Sequence, residues 1–323
     1  MRFDPKTIIA AALLAVVAHT SAGAADYPTR PIRVLVPYAA GGPSDTGARL
    51  ASEPLSRQLG QPVIIENQGG AGGLIGTEAY KRYEPDGYTI LLGAIGPFAI
   101  LPAAKTVRYD VQKDFVPLGL VWRSPLTLAV SPKLGIKSLK DFIAYIKANP
   151  GKVTVGSAGV GSITHLAIEL FKHEANVDII HVPFRSTSES LPALMGGQID
   201  ALFGDTPSIA AQITSGKIVG IAVASSKRET SIPDVPTMAE QGLPGIDASS
   251  WFGFVVSSKV PAPIVQRLQS AMAEAQKDLS YLKTLETQGA SYGEPGAAPY
   301  AELIKSDAKK WGTLIKETGI KIE

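Results

Sequence analysis

Two stretches of this chain combine glycine with hydroxyl side chains where an extended segment gives way to a helical one: Gly41-Gly42-Pro43-Ser44-Asp45 and Gly159-Val160-Gly161-Ser162. That pattern suits anion binding. The first amide N–H groups of a helix have no intrahelical partner, and the macrodipole adds partial positive charge. A carboxylate or phosphate can therefore be held without a charged side chain, and glycine lets it approach the backbone. Ser44, Asp45 and Ser162 have a second role open to them as N-caps. For Asp45 capping is the better fit, because its charge would repel an anion. For Ser162 the two roles are compatible.

Other chemistries fit these residues less well. Gly69-Gly70-Ala71-Gly72-Gly73-Leu74-Ile75-Gly76 misses the dinucleotide fingerprint G-x-G-x-x-G by one residue, at Ile75. Gly216-Lys217 is followed by Ile218, so the P-loop pattern fails too. Ser157, Ser162, His165 and Asp205 could supply an exported serine hydrolase acting on small carboxylic esters, the alternative function from a different class. No G-x-S-x-G elbow surrounds either serine, however. The chain has no Cys and only His19, His165, His173 and His181. His165 and His173 are eight residues apart on an expected helix, about 12 Å along its axis, too far to share one ion. His173 reads as a solvated helix residue and His181 as a strand residue at a sheet edge. The expectation is no catalytic residue, no metal and no cofactor.

The elements that must position these loops alternate. Pro31–Pro37, Val63–Ile65 and Tyr88–Leu92 read as strands separated by helices over 46–59 and 75–82, a β-α-β-α-β series. A second series starts near Thr127, with strands at 126–130, 153–155, 179–182, 201–203 and 219–224 and helices between them. A strand at 252–256 and helices over 265–277 and 300–317 close the chain. Such alternation implies an α/β fold of mostly parallel strands flanked by helices. No low-complexity linker divides the two series. Two lobes joined by crossing strands, with a ligand cleft at the strands' carboxyl ends, fit this pattern.

Composition narrows the function further. The 323 residues are 45% hydrophobic, and 31 Lys plus Arg face 29 Asp plus Glu, for a net charge of +2. No basic run suggests a grip on nucleic acid. Ile8–Ala18 is an apolar run of eleven residues, against the roughly 20 needed to span a bilayer. With Ala22-Gly23-Ala24 behind it, residues 1–25 read as a signal peptide cleaved after Ala24 or Ala25. The expected product is periplasmic, does not span the membrane, and is a monomer.

Several segments together resemble a known family. Tyr27-Pro28, Pro31-Ile32-Arg33, Val36-Pro37, Gly41-Gly42, Asp45 and Pro85-Asp86-Gly87-Tyr88-Thr89 begin the set. Gly156-Ser157-Ala158-Gly159, Gly161-Ser162, His165-Leu166 and His181-Val182-Pro183 continue it. Gly196-Gly197-Gln198-Ile199-Asp200, Pro233-Asp234-Val235-Pro236-Thr237 and Trp251-Phe252-Gly253 complete it. In number and order these resemble the solute receptors of tripartite tricarboxylate transporters, the Bug family. The resemblance implies a type II-like periplasmic binding protein that closes two α/β lobes on a small carboxylate, partly through ordered water, and serves membrane transporter subunits. Lobe 1 would comprise residues 26–124 with 250–323, and lobe 2 residues 125–249.

Carried over by position, Tyr38, Gly41, Gly42 and Ser44 would form the first wall. Ser157, Gly159, Ser162 and His165 would meet the proximal carboxylate, and Asp205 would stand at a strand end or cap the following helix. Three departures concern specificity. Phe184-Arg185 replaces an expected Tyr-Lys, Ile95-Gly96-Pro97-Phe98 makes an apolar loop, and Gly69 stands in place of a common Arg. Arg185 could clasp a second carboxylate, or be a surface charge. Gly96 with Phe98 and Phe184 could flank a ring. A dicarboxylate or aromatic carboxylate, such as terephthalate, is the ligand these departures favour.

Overall fold

The pentapeptide Ile32-Arg33-Val34-Leu35-Val36 forms strand β1, almost wholly buried, as a β-branched and aliphatic run between two parallel neighbours should be. A computed structural model describes residues 27–319, 321 and 322. The expected leader and its cleavage position lie outside the described residues. The other strands are β2 Val63–Asn67, β3 Thr89–Ala94, β4 Phe115–Val130, β5 Thr154–Ser157, β6 Ile180–Pro183, β7 Ala201–Asp205, β8 Val219–Val223 and β9 Ser249–Ser257. The helices of seven or more residues are α1 Pro43–Leu59, α2 Leu74–Tyr80, α3 Leu139–Ala148, α4 Ile163–Ala175, α5 Thr187–Gly196, α6 Thr206–Thr214, α7 Ala262–Ala275, α8 Leu279–Thr287 and α9 Ala297–Thr318.

The strands run in the order β2-β1-β3-β9-β4-β7-β5-β6, with β8 also on β4. Pairings among β1, β2 and β3 and among β5, β6 and β7 are parallel, as the βαβ pattern implies. Those made by β4 and β9 are antiparallel. The fold is α/β, as expected, with a mixed sheet in which parallel groups of strands flank the antiparallel pairings of β4 and β9.

One long strand joins the halves. Residues 115–125 of β4 pair with β9, while Leu126–Val130 pair with β7 and β8. The sequence reading places a strand only at 126–130, whereas the observed strand also runs through Pro117, Gly119 and Pro125. Register shifts at Pro117/Gly119 and Leu120/Trp122 let the strand continue past the first two. At the junction Leu126 N–H donates to Ala248 O (3.0 Å), Ala248 N–H to Ala224 O (2.9 Å), and Ala224 N–H to Leu126 O (2.8 Å).

Aromatic side chains fill the core on both sides of β4 and β9. Trp122, Trp251 and Tyr300 are among the largest fully buried residues. Tyr300 lies across paired Gly93 and Gly253, where a Cβ on Gly253 would be 2.4 Å from the ring's Cζ. Among the described residues no helix is long and apolar enough to cross a membrane, and no group of three or more acidic, His or Cys side chains could hold a metal ion.

Candidate functional site

Four helices begin at one place. α1 starts at Pro43, whose missing N–H is no loss in the first turn, and its N-cap Gly42 supplies no side-chain cap. α4 starts behind Ser162, whose Oγ accepts the His165 N–H. α5 starts behind Ser186, whose Oγ accepts the Glu189 N–H, the first half of a capping box. α6 starts behind Asp205, which occupies the N-cap position but makes no side-chain cap. Their first residues surround a cavity of about 30 Å³, lined on one side by Tyr38, Ser44, Ile95, Ser250 and Phe252 and on the other by Ser162, Thr164, Ser186, Thr187 and Asp205. No Lys or Arg lines it. Partial positive charge here comes from helix ends alone.

The walls touch around this cavity. A Cβ on Gly72 would stand 2.1 Å from the Val160 carbonyl oxygen, and one on Gly161 2.0 Å from a Leu101 methyl. Both glycines also have positive φ, 62° and 79°, which other residues adopt at a cost. The Tyr38 hydroxyl donates to Gly72 O at 2.8 Å and fixes that loop. Burial, and next the Asp205 charge, push the Tyr38 phenol well above its ordinary value, so it stays a donor.

Asp205 is 3% exposed. Its Oδ1 accepts hydrogen bonds from Ser250 Oγ and, at 3.4 Å, from Ser124 Oγ, which itself accepts the Trp122 Nε1–H. Burial pushes the carboxyl up to about 6, against the pull of those hydroxyls. Asp45, by contrast, faces its own helix turn. Burial alone would raise it, but hydrogen bonds from Arg49, the Gly41 N–H and Asn67 outweigh that and hold it low. Gly42, not Asp45, is the N-cap, because the helix already starts at Pro43; Asp45 is its third residue and reaches back to the Gly41 N–H instead.

Of the residues singled out in the sequence, Tyr38, Ser44, Ser162 and Asp205 line the cavity. Gly42, Gly96 and Gly159 lie along the contact between the walls. Their added Cβ atoms would meet Ser186, Gly161 with Gly72, and Gly72 respectively. Gly41 faces Ser188 at the rim.

Five others are placed elsewhere. Ser157 is fully buried, with its Oγ 2.6 Å from His181 Nε2. His165 stacks on His181 with ring centroids 3.9 Å apart, and its Nδ1 accepts the Gly161 N–H at 3.2 Å. It braces the loop from behind. Phe98 packs on Phe115 in the core, and Phe184 lies against the cluster of Ile199 and Leu202. Neither ring lines the cavity, because each has apolar neighbours inside its own half. Arg185 is 74% exposed and pairs with Glu189 at 3.1 Å, the surface-charge role.

Gly69 also has a local reason: a Cβ there would be 2.9 Å from the Ala39 amide, so the common Arg would not fit this backbone. Sequence reasoning missed Thr164, Ser186, Thr187, Ser250 and Phe252. Only Ser186 carried a readable signal, the S-x-x-E spacing to Glu189.

Residues 47–320 match the tripartite tricarboxylate transporter family receptor. The chain belongs to that family. Among its relatives is Protein BugT of Bordetella pertussis, 35% identical over 92% of each chain. The solved structure of the periplasmic binding protein BugD superposes with a TM-score of 0.87 at 34% identity, covering 91% of this chain and 99% of BugD. An R. palustris protein solved with adipate gives 0.86 at 30% identity, covering 92% and 99%. Tripartite tricarboxylate receptors are solute-binding proteins.

Proposed function

We propose that this protein is a periplasmic receptor that captures a small organic carboxylate between two lobes, residues 26–124 with 250–323 and residues 125–249, and presents it to the membrane subunits of a tripartite tricarboxylate-type transporter. The convergence of four helix N-termini on one cavity without a cationic side chain carries the reading. Charge-assisted hydrogen bonds from amides and hydroxyls suit a carboxylate there. At about 30 Å³ the cavity holds a water or two rather than a dicarboxylate. Ligand entry therefore requires the walls to part, and the strand crossing at Pro125/Leu126 is where we place the hinge.

Dicarboxylates are the favoured class, in keeping with the adipate in a related structure. An aromatic ligand such as terephthalate would have Tyr38 and Phe252 as its rings, their centroids 6.2 Å apart, in place of Phe98 and Phe184.

The test is a thermal-melt panel of mono-, di- and tricarboxylates, aliphatic and aromatic, on protein refolded free of carried-over ligand. A ligand at about 100 times its Kd stabilises the native state by about 2.7 kcal/mol. A shift confined to one carboxylate class is expected; a flat panel overturns the reading. The Ser157–His181 hydrogen bond keeps the esterase reading testable, and no turnover of small carboxylic esters is expected. Ser157 has no open access, and its Oγ also accepts the Gly159 N–H.

A further inference from the structure

We propose that the receptor captures its carboxylate together with one proton, carried by Asp205 and shared with a carboxylate oxygen of the ligand. This rests on the carboxylate-receptor reading above and adds the stoichiometry and the residue responsible. Three observations carry it. First, Asp205 is a buried carboxylate in the wall of the same cavity that must take the anion. Second, although it stands at the N-cap of α6, its side chain does not cap the helix. It turns instead to hydroxyls on the two strands that run between the halves, Ser124 on β4 and Ser250 on β9. Third, the Thr187 hydroxyl lines the same cavity, is 2% exposed and faces the Asp205 carboxyl without a well-formed hydrogen bond to it, so a ligand oxygen can compete for that hydroxyl.

No cation is at hand to neutralise a second carboxylate. The loop after β1 presents the neutral Tyr38 phenol, and α1 brings Asp45 and Arg49, already paired at 3.0 Å. β4 and β9 turn the Ser124 and Ser250 hydroxyls to Asp205, while Arg123 of β4 is exposed and lines the cavity behind the strands. On α4 His165 is held neutral, first by burial and then by the charges of His181 and Lys172, and on α5 Glu189 is tied to Arg185. Two carboxylates brought within hydrogen-bond reach in a dry site do not both stay ionised; they share a proton and titrate as a pair. Burial already pushes Asp205 up to about 6, so the proton is within reach near neutrality. The proton comes from solvent and binds an Asp205 oxygen, and that O–H donates to the ligand. It returns to solvent on release, and no covalent bond other than O–H forms or breaks.

Isothermal titration of adipate, or of the panel member with the largest melt shift, in phosphate and Tris at pH 7.5 counts the protons taken up. Uptake approaching one per ligand is expected, with affinity weakening up to tenfold per pH unit between 6.5 and 8. Asp205→Asn should bind with no proton uptake and with pH-independent affinity over that range. Wild-type binding without uptake, or equal uptake in Asp205→Asn, overturns the proposal and leaves the receptor reading standing. Failure to bind any carboxylate overturns both. Should Asp205→Asn not fold, the wild-type proton count decides alone.

Discussion

Two imidazoles stacked face to face and kept neutral make a pH-dependent contribution to stability at the scale of single residues. Burial first, then the charges of His181 and Lys172, pull His165 down to about 3; burial and Lys172 pull His181 down to about 4. In the unfolded chain both protonate near their ordinary 6.5. Between those values the unfolded chain binds more protons, so stability falls as pH drops from about 6.5 toward 4. Asp205 works in the opposite sense. Its folded value of about 6 lies above the ordinary 3.8, so its contribution grows as pH falls through that window and offsets part of the loss. Urea midpoints should therefore drop between pH 7 and 4.5 in the wild type, more steeply in Asp205→Asn, and less in a His165→Asn/His181→Asn double variant. A pH profile unchanged in all three would show that neither group shifts on folding. Arg185 yields a plainer expectation: exposed and paired with Glu189, its replacement by Ala should leave affinity for mono- and dicarboxylates within about twofold, a cost inside that of a surface ion pair.

At the scale of elements, the caps and close approaches decide how the loops are held. Ser162 links α4 to the cavity: its Oγ accepts the His165 N–H and donates to Gly159 O at 2.7 Å. Ser162→Ala should cost about 1 kcal/mol as a lost cap and weaken carboxylate binding as well, because the same residue lines the cavity. Equal affinity with lowered stability would confine it to capping. Gly253→Ala tests the slot under Tyr300. The ring must move, and overpacking of that kind costs about 1–3 kcal/mol, read as a lower melting temperature without a change in ligand preference.

The strand–helix alternation was legible because β1 and the helices carry clear periodicity and caps, and α3 spans the expected 139–148. β4 was not legible over 115–125. Its continuity depends on pairing with β9, far along the chain, and on bulges that no local pattern announces. The site shows the same division. Ser44 and Ser162 sit at helix starts that their own sequence neighbourhood declares. Ser250 and Thr187 reach the cavity only because β9 and α5 are brought there by tertiary packing. Phe98 and Phe184 look like walls in the sequence because aromatic type is visible there and burial direction is not.

Across the whole molecule, the proposed hinge at the crossing strands would make the cleft and the face behind it mechanically reciprocal. Side chains alternate along a strand. Ser250 on β9 lines the cleft and bonds Asp205, whereas Arg123, Pro125 and Ser249, together with Ser124, line a second cavity of about 730 Å³ behind the same strands. That rear cavity is bounded by Ser226 and Lys227 after β8 on one side and by α8 and Tyr292 on the other, so its two walls belong to the two proposed lobes. A hinge that opens the cleft must narrow this space, and one that closes the cleft must widen it. A bulky side chain placed behind the hinge therefore disfavours the open form and leaves the closed one untouched. Ser226 is exposed on the rear wall, so Ser226→Trp fills the space with little risk to folding. With less free energy needed for closure, ligand affinity should rise about fivefold for each 1 kcal/mol by which the open form is disfavoured. Small-angle scattering of the ligand-free variant should move toward the curve of ligand-bound wild type. Unchanged affinity together with an unchanged ligand-free curve would mean that the lobes do not pivot about β4 and β9, and the hinge would have to be sought elsewhere along the 224–248 crossing.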